Sequence, residues 1–428
     1  MAVVPALLAV CLIVSSVQPQ AAVRNKQDRA VTDITGGKRV RILLKSGCSS
    51  ISAFVNGTAG IVCDGVAVAN GVFAGDIRAN GSSGGIEAII QGKRYHGTSA
   101  LVVIATSGDP VACFQISSKR YRGSLVLQSR RGGFDVINDL DIDDWLKGVL
   151  PAEIGASSPV EALKAQAVAA RSEAVHKLAR PPHAAEGYDF CTGVHCQAYK
   201  GMTDEGTISN AAVDGTRGIV LTVNGQVIDA VYHNVCGGAT SSADDVWDGP
   251  PEPGIVPVFD SRSARGAPNL ASDEAMARFI NDASMDIFCN SSQPGYPNYA
   301  KKYFRWQKTL SAAELERVCG VGRVRDVVVT ERRASGRVRK LRIEGERGSR
   351  TVEKELPIRN MFNLWSGLFV VRVLRSGNTV QSATFTGAGN GHGAGLCQMG
   401  ARTMGFMGYS FTDILGHYYR GTRLERVY

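Results

Sequence analysis

One acidic residue, Glu153, stands out among the side chains of this sequence that could do chemistry. It lies in the stretch VLPAEIG, between apolar and turn-forming residues, just before an alanine-rich run. Burial among apolar groups disfavours the charged form of a carboxyl group and raises its pKa. A glutamate of this kind can donate a proton near neutral pH and take one back later. Glu153 is therefore either an acid–base catalyst or a residue that caps a helix.

The segment before Glu153 is predicted to be a helix. Apolar side chains recur at helical spacing at Ile142, Trp145, Leu146 and Val149. Pro151 is predicted to end this helix, because proline lacks the N–H that the next hydrogen bond would need. Glu153 is then expected in the connection that follows.

A second helix is predicted after Glu153. Ser158 and Glu161 match a capping box, with Pro159 at the first turn, and the helix should run to about Arg180. Its many alanines allow close packing, so the helix should be buried. Ser158 and Glu161 would take the capping role, so no structural role is evident for Glu153. This favours a catalytic role for Glu153.

Composition indicates a mixed fold of two lobes. The chain has 428 residues, of which 44% are hydrophobic and 20% charged, and it contains 49 glycines and 15 prolines. Short alternating strands punctuated by glycine turns predict a β-rich lobe at residues 39–130. Residues 131–428 are predicted to form a mixed α/β lobe that carries the reactive motifs. The predicted fold class is α+β, with a cleft between the two lobes.

The chain is basic, with a net charge of +9 and a pI near 9.1. This charge suggests a polyanionic neighbourhood such as nucleic acid, an anionic membrane face or a cell-wall polymer. The basic residues are spread through strand-like segments and do not gather in one helix or tail. Nucleic acid is therefore disfavoured as a partner.

The amino terminus has the features of an export signal. Residues 1–22 contain an apolar run followed by small residues, although no lysine or arginine precedes the run. We expect either a cleaved signal peptide or an N-terminal membrane anchor, followed by a polar linker at residues 23–38. The protein is thus predicted to be exported to the cell envelope. Ten cysteines include Cys11 in this leader, which leaves an odd number for the exported chain.

Two glycine-containing loops offer polar side chains for binding. They read YHNVCGGATSS and GHGAGLCQMGA. Gly237 and Gly238 would let the backbone approach a ligand closely. The candidate substrate-binding side chains are those of Tyr232, His233, Thr240, His392 and Gln398. The alternative for His233 and His392 is that their rings satisfy nearby backbone groups.

A further segment, HAAEGYDFCTGVHCQAYKG, contains thiols and imidazoles. The side chains of His183, Cys191, His195 and Cys196 could hold a tetrahedral structural Zn²⁺. In an oxidising compartment Cys191 could instead form a disulfide with Cys196, or either could pair with Cys236. Both alternatives remain open, and neither would supply the reactive proton.

Four segments, in order, resemble the stage II sporulation protein D family, also called SpoIID/LytB. They are DDWLKGVLPAEI with EALKAQAVAARSEA, then HCQAYKG, then VYHNVCGGATSSADDVW, and finally the long segment that begins GHGAGLCQMGA. Several distinct motifs in one order make chance similarity improbable. The resemblance implies a bacterial cell-envelope protein that acts on peptidoglycan. It also implies a lytic transglycosylase, a carbon–oxygen lyase that cleaves MurNAc–GlcNAc linkages in denuded glycan strands and leaves anhydromuramic ends.

The resemblance implies that Glu153 performs both proton transfers of such a reaction. The acid would protonate the glycosidic oxygen and later accept a proton from the muramic acid hydroxyl that closes onto the anomeric carbon. Hydrolysis would need a second carboxylate, for which Asp244 or Asp245 is the candidate. Where the family commonly has an aromatic residue this chain has Glu173, and Asn390 and Gly391 replace a frequent tryptophan, so fine specificity should differ.

The family's other name suggests a second function. The chain would then be a non-catalytic wall-binding enhancer of a separate N-acetylmuramoyl-L-alanine amidase. The resemblance also supports zinc in some members, although the cysteine-rich segment offers no open water position of the kind a zinc amidase needs.

Overall fold

The computed structural model describes most of the chain beyond the predicted leader. The described residues are 38–106, 111–193, 196–247, 249–262, 266, 268–282, 284–377 and 379–428. The predicted leader at 1–22 and nearly all of the predicted linker lie outside them. Within these ranges, no helix has both the length and the apolar character needed to cross a membrane.

The first lobe is built around one large, mostly antiparallel sheet. Its strands are β1 (Arg39–Cys48), β2 (Ser50–Cys63), β3 (Val66–Ser82), β4 (Gly85–Ile90), β5 (Lys93–Gly97), β6 (Ala100–Ala105), β7 (Cys113–Ile116), β8 (Lys119–Arg122), β9 (Ser124–Arg130), β10 (Gly133–Asp141) and β11 (Phe190–Cys191). The main path runs β11-β1-β10-β9-β6-β2-β3-β4-β5; off this path, β7 pairs with β2 and β8 pairs with β7. The β-rich first lobe is confirmed, and its sheet also includes β10 and β11, which lie wholly beyond residue 130.

The two predicted helices that flank the acid pack against this sheet. Helix α1 (Ile142–Glu153) buries all four of its periodic apolar side chains, and these join one core with side chains from β1 and β10. The Asp141 carboxylate caps α1 by accepting from the Asp143 N–H at 2.9 Å. The prediction that Pro151 ends α1 is wrong. Pro151 lies inside the last turn, and the turn closes after it through a 3.1 Å bond from the Ile154 N–H to Leu150 O. Glu153 is therefore the last residue of the helix.

Helix α2 (Val160–Lys177) is buried on nearly all sides, as its alanines predict. The predicted capping box is wrong, because the residue that caps α2 is Pro159, which has no side-chain acceptor. The Ser158 hydroxyl instead donates to Ile154 O at 2.8 Å and accepts from Arg402. The Glu161 carboxylate accepts from Lys164 and from the Phe411 N–H, each at 2.8 Å. Both side chains thus bind groups outside the first turn of α2.

The second lobe mixes short helices with small sheets, which confirms the α+β class. Its further helices are α3 (Thr207–Gly215), α4 (Ala243–Val246), α5 (Asp273–Asn281), α6 (Asn298–Phe304), α7 (Ala312–Cys319), α8 (Glu355–Phe362), α9 (Gln398–Phe406) and α10 (Phe411–Tyr418), with a short 3₁₀ turn at Ala184–Glu186. Its strands are β12 (Ile219–Val223), β13 (Gln226–Val227), β14 (Tyr232–His233), β15 (Arg305–Ser311), β16 (Val324–Arg332), β17 (Val338–Gly345), β18 (Gly348–Glu353), β19 (Phe369–Ser376), β20 (Thr379–Ala388), β21 (Leu396–Cys397) and β22 (Arg423–Arg426). They form the sheets β13-β12-β22, β15-β20-β19 and β16-β17-β18 and the pair β14-β21.

The short parallel pair β14-β21 brings the two glycine-containing loops together. Tyr232 pairs with Leu396 and His233 with Cys397. A further bridge joins Ser241 to Ala394, close to the same pair. Segments about 160 residues apart in the sequence thus become neighbours beside α1 and α2.

A buried ion pair fixes α2 against α1. The Arg171 guanidinium lies 2.6 Å from the Asp143 carboxylate, and neither side chain is exposed to solvent. Arg171 also donates to Ile219 O at 3.1 Å and Val213 O at 3.3 Å, so that α3 and β12 are held by the same group. Removing one partner of a buried pair leaves the other charge uncompensated.

We expect Arg171→Met to lower the free energy of unfolding by ~3–5 kcal/mol, the range for breaking a buried pair. The matched control is Arg94→Met, because Arg94 pairs with Glu87 at 3.0 Å on an exposed surface and should contribute less than ~1 kcal/mol. Urea denaturation followed by circular dichroism measures both. Equal effects of the two substitutions would contradict the role given to Arg171.

Candidate active site

An open cleft of about 580 Å³ lies next to the carboxyl end of α1. Its lining includes Glu153, Glu173, Lys177, Tyr232, Trp247 and His392. All of the lining residues come from the predicted second lobe. The cleft that contains Glu153 therefore lies within the predicted second lobe, while side chains of the first lobe's sheet share a core with α1 and α2.

Glu153 faces this cleft with a largely buried carboxyl group. Its Oε1 accepts a 2.7 Å hydrogen bond from the Ala198 N–H. Burial raises the pKa of Glu153, while the Ala198 N–H and the Gln398 amide act in the opposite direction. Its place at the carboxyl end of a helix further disfavours the anion, because the unpaired helix carbonyls carry partial negative charge. The side chain is therefore suited to hold a proton at a pH where an exposed glutamate has lost it.

A second carboxyl group, that of Glu173 on α2, faces the same cleft. Its side chain forms an ion pair with Lys177 and accepts from Gln197 Nε2 at 3.0 Å. Burial raises the pKa of Glu173 to about 7; Lys177 opposes this shift, and the negative charges of Asp229 and Glu153 add to it. The consecutive residues Gln197 and Ala198 thus contact one carboxyl group each. Sequence reasoning noted Glu173 only as a replaced aromatic, although a glutamate inside a buried alanine-rich helix was itself a signal.

Tyr232 lies beside both carboxyl groups. Burial raises its pKa well above the ordinary value, and the charges of Glu153 and Glu173 act in the same direction. Its hydroxyl is buried with no hydrogen-bond partner among the described residues. A ligand in the cleft could supply that partner, as expected for a substrate-binding residue.

The two histidines are held by backbone groups. His392 Nε2 donates to Tyr232 O at 2.8 Å, while its Nδ1 accepts from the Ala394 N–H at 3.2 Å. His233 Nδ1 lies 3.0 Å from Ala394 O. Burial lowers the pKa of His392 well below its ordinary value, and the nearby His233 adds to this. His392 therefore stays neutral and offers only its ring to the cleft, so the geometry favours the backbone-satisfying alternative for this residue.

Trp247 supplies an aromatic surface that sequence reasoning missed. Its ring centroid lies 4.8 Å from that of His392, and 39% of the residue is exposed. A half-exposed aromatic ring in a cleft offers a flat apolar face with a polar edge. The signal was present at the end of the quoted segment SSADDVW.

Several predicted site residues lie away from the cleft. Thr240 is fully buried, and its Oγ1 accepts from the Val258 N–H at 2.8 Å. A Cβ on Gly237 would lie 2.8 Å from Ala388 Cβ, and one on Gly238 would lie 2.8 Å from Ile287 Cδ1. Both glycines have positive φ and serve close packing against the protein itself.

The candidate partners for hydrolysis are also elsewhere. The Asp245 carboxylate accepts from the Ser335 hydroxyl at 2.6 Å and is absent from the cleft lining. Asp244 lines a smaller neighbouring cavity. The carboxyl groups that line the cleft together with Glu153 are those of Glu173, from the adjacent helix, and Asp229.

The cysteine–histidine segment forms a compact cluster. Cys196 Sγ lies 3.4 Å from Cys191 Sγ and 3.5 Å from His183 Nε2. Two sulfurs and one imidazole at this spacing fit three ligands of a tetrahedral zinc site. The fourth predicted ligand, His195, lies outside the described residues. Cys236, the other suggested disulfide partner, lies instead 3.3 Å from Cys289.

Comparison with known proteins confirms the resemblance drawn from the motifs. Residues 130–223 match the family model described as stage II sporulation protein, SpoIID, and these residues include α1 and α2 with both cleft glutamates. Residues 241–395 match a domain of unknown function, DUF8618. Residues 130–223 are therefore similar to the SpoIID family.

Named relatives extend the similarity over most of the chain. An uncharacterized protein of Brachyspira hyodysenteriae is 28% identical over 72% of this chain and 73% of its own length. Stage II sporulation protein D of Bacillus amyloliquefaciens is 26% identical over 68% of this chain and 76% of its own length. The amidase enhancer of Bacillus subtilis is 26% identical over 65% of this chain, which covers 40% of the enhancer's length.

Stability should fall with rising pH because of Glu173. Its pKa is about 7 in the folded protein against an ordinary value of 4.5, so the folded state binds the proton more tightly. This contribution is complete below the unfolded pKa and is lost as the pH rises through about 7. We expect Glu173→Gln to flatten the decline of unfolding free energy across this window, measured by denaturation at a series of pH values.

Glu161→Gln is the control for that series. Although burial acts to raise it, the pKa of Glu161 is lowered by hydrogen bonds from Lys164 and the Phe411 N–H. Its contribution is therefore lost only as the pH falls, and the substitution should leave the slope near neutral pH unchanged. An unchanged slope in Glu173→Gln would contradict the assigned pKa.

The metal hypothesis for Cys191 and Cys196 stays a prediction. We expect about one equivalent of zinc at this cluster and expect Cys191→Ser to lose it together with thermal stability, because metal binding and folding are coupled. Metal analysis and thermal melts measure this, with Cys48→Ser as the control. If Cys191→Ser loses no zinc and the wild type contains a Cys191–Cys196 disulfide, the disulfide alternative is favoured.

Proposed function

We propose that this protein is a peptidoglycan lytic transglycosylase with Glu153 as its general acid and base. The observation that carries the proposal is a glutamate with a raised pKa at the edge of a large open cleft. The SpoIID match and the relatives named stage II sporulation protein D support a role at the cell wall. Residues 1–22 then direct export to the envelope, as a secreted or N-terminally anchored protein.

The reaction needs two proton transfers, and one carboxyl group can perform both. Protonated Glu153 donates its proton to the glycosidic oxygen while the bond to the anomeric carbon breaks. The carboxylate then accepts the proton of the muramic acid 6-hydroxyl as that oxygen bonds to the anomeric carbon. The products are a free sugar end and a 1,6-anhydromuramic end, and the acid is restored. No water is consumed and no cofactor takes part.

Other cleft residues serve this acid. The Ala198 N–H orients the carboxyl group of Glu153, and the Gln398 amide is near enough to oppose the rise of its pKa. Tyr232 has an unpartnered hydroxyl near the same group, which we assign to a sugar hydroxyl. Trp247 provides the face on which a pyranose ring stacks, because the C–H groups of a sugar pack well against an aromatic ring.

Glu173 does not fit the second carboxylate of a hydrolase. Its side chain is held by Lys177 and Gln197, so its oxygens are already bonded on two sides. Glu173 also has a cationic partner in Lys177, unlike Glu153, and an adjacent positive charge makes a carboxylate a weaker proton acceptor. We therefore assign Glu173 and Lys177 to shaping the cleft and its charge.

Glu153→Gln should reduce the release of anhydromuramic products by at least ~100-fold, the lower scale of acid–base contributions. The amide keeps the size of the side chain but can neither donate nor recover the proton. The assay incubates purified protein with denuded glycan strands and follows products by mass spectrometry, with glycan binding measured separately. Glycan binding should be retained, because the substitution removes a proton transfer that occurs only in the transition state.

Glu161→Gln is the matched control on the adjacent helix. Glu161 contacts Lys164 and the Phe411 N–H and does not line the cleft, so its activity should stay near that of the wild type. Near wild-type turnover by Glu153→Gln would reject the catalytic assignment. Joint loss of turnover and binding would mean that Glu153 is structural.

The second candidate function is a non-catalytic enhancer of a cell-wall amidase. The amidase enhancer of Bacillus subtilis, by its name, enhances an amidase, and its similarity to this chain favours the alternative. An enhancer would bind glycan alone and change the products only when an N-acetylmuramoyl-L-alanine amidase is added. Release of anhydromuramic ends by the protein alone would favour the lytic transglycosylase over the enhancer.

A further inference from the structure

Four buried side chains converge behind the wall of the cleft. They are Cys236, Asp260, Cys289 and Cys397, all fully buried, and they come from four separate segments. Their three sulfurs and one carboxylate oxygen all lie within 4.8 Å of one another. We propose that these residues form a structural Zn²⁺ site, distinct from the His183–Cys191–Cys196 cluster. The proposal does not depend on the enzymatic function.

The spacing of the ligand atoms suits a tetrahedral ion. Zinc–sulfur bonds of ~2.3 Å place neighbouring sulfurs ~3.8 Å apart on a tetrahedron, and a carboxylate oxygen lies slightly closer. Cys236 Sγ lies 3.3 Å from Cys289 Sγ and 3.3 Å from Asp260 Oδ2. Small movements of the side chains therefore give the coordination distances. Three thiolates select zinc over magnesium or calcium, which prefer oxygen ligands.

Backbone N–H groups point at the sulfurs. Cys397 Sγ accepts from the Cys236 N–H at 3.2 Å and from the Gly400 N–H at 3.4 Å, which places it at the N-cap of α9. Cys236 Sγ accepts from the Gly238 N–H at 3.3 Å. Such donors stabilise negative charge on sulfur, and the start of a nine-residue helix adds to this at Cys397. The surroundings thus suit thiolates, the form that binds metal.

The carboxylate is oriented by a second set of contacts. Asp260 Oδ2, the oxygen nearest Cys236, also accepts from the Cys289 N–H at 2.8 Å. Its Oδ1 accepts from the Tyr418 hydroxyl at 2.6 Å. Outer groups that hold a ligand in place are typical of metal sites. Gly400 makes this arrangement feasible, since a Cβ there would lie 1.9 Å from Tyr418 Oη and 2.8 Å from Asp260 Oδ1.

The charges favour an ion over protonated groups or a disulfide. A disulfide would use two of the three sulfurs and leave a neutral thiol beside the buried Asp260 carboxylate, which has His417 Nε2 3.8 Å away. Zinc contacts all four ligands and neutralises half of their negative charge. Arg305 adds positive charge nearby, because it donates at 2.9 Å to the carbonyl of Gly237, the residue after Cys236.

The site would link the two glycine-containing loops. Cys236 follows β14, and Cys397 ends β21 directly before Gln398. Zinc would thereby hold the loop that contains Gln398 against the loop that contains Tyr232. Asp260 and Cys289 would attach two otherwise irregular segments to the same point. This places the metal in a structural role, with all four coordination positions taken by the protein.

Metal analysis of the full-length protein tests the proposal. Cys289→Ser should lose about one equivalent of zinc relative to the wild type, while Cys319→Ser, a fully buried cysteine in another core, should lose none. The Cys191→Ser/Cys196→Ser double variant removes the other thiol cluster and should keep about one equivalent. The same zinc content in Cys289→Ser as in the wild type would overturn the proposal.

A measurement on the unaltered protein covers the case in which Cys289→Ser does not fold. Crystals of the wild type should show an anomalous difference peak at the zinc absorption edge, surrounded by the sulfurs of Cys236, Cys289 and Cys397. Peptide mapping without reductant should find these three cysteines unpaired. A disulfide between any two of them, or reduced sulfurs with no peak at the edge, would overturn the proposal.

Discussion

The buried ion pair between Arg171 and Asp143 is the interaction on which the candidate active site depends. It joins α2 to α1 at a point that solvent does not reach, and through Arg171 it also holds the carbonyls of Val213 and Ile219. A pair of this kind demands accurate geometry, because each charge is costly to bury without the other. The two helices that bear the cleft glutamates are therefore locked in one relative position.

Helix α2 uses opposite sides for different purposes. Successive helical residues turn by about 100°, so residues two apart project in nearly opposite directions. Arg171 binds the structural ion pair, whereas Glu173 faces the cleft and Lys177. Both polar groups bind other parts of the protein, Arg171 the carbonyl of Ile219 and Glu173 the amide of Gln197, and the alanines allow the surrounding chain to approach closely. This explains why burial extends around nearly the whole helix.

Of the three carboxyl groups that line the cleft, those of Glu153 and Glu173 have pKa values that burial raises. Glu173 has a cationic partner in Lys177, whereas the carboxyl group of Glu153 receives only neutral hydrogen-bond donors. The glutamate without a counter-charge is the one that can exchange a proton with a ligand at little cost. The proposed division of roles, with Glu153 reactive and Glu173 structural, follows from this difference in partners. The loops opposite are held by β14 and β21 and by glycines whose missing side chains let segments cross closely.

Local patterns in the sequence determined the elements and the principal acid. Helical spacing located α1 and its buried side chains, alternation located the strands of the first lobe, and apolar neighbours marked Glu153. Only the tertiary structure decided how distant segments meet. Arg402 donates to the Ser158 hydroxyl that was expected to cap α2, and Glu173 lies in the cleft beside Gln197. Cys236 lies beside Cys289, a residue 53 positions later in the chain. The spacing of apolar residues predicts which side of a helix or strand is buried, because residues a few positions apart share one side. The partner and the pKa of a buried polar group depend on residues brought close by folding, and no local pattern specifies them.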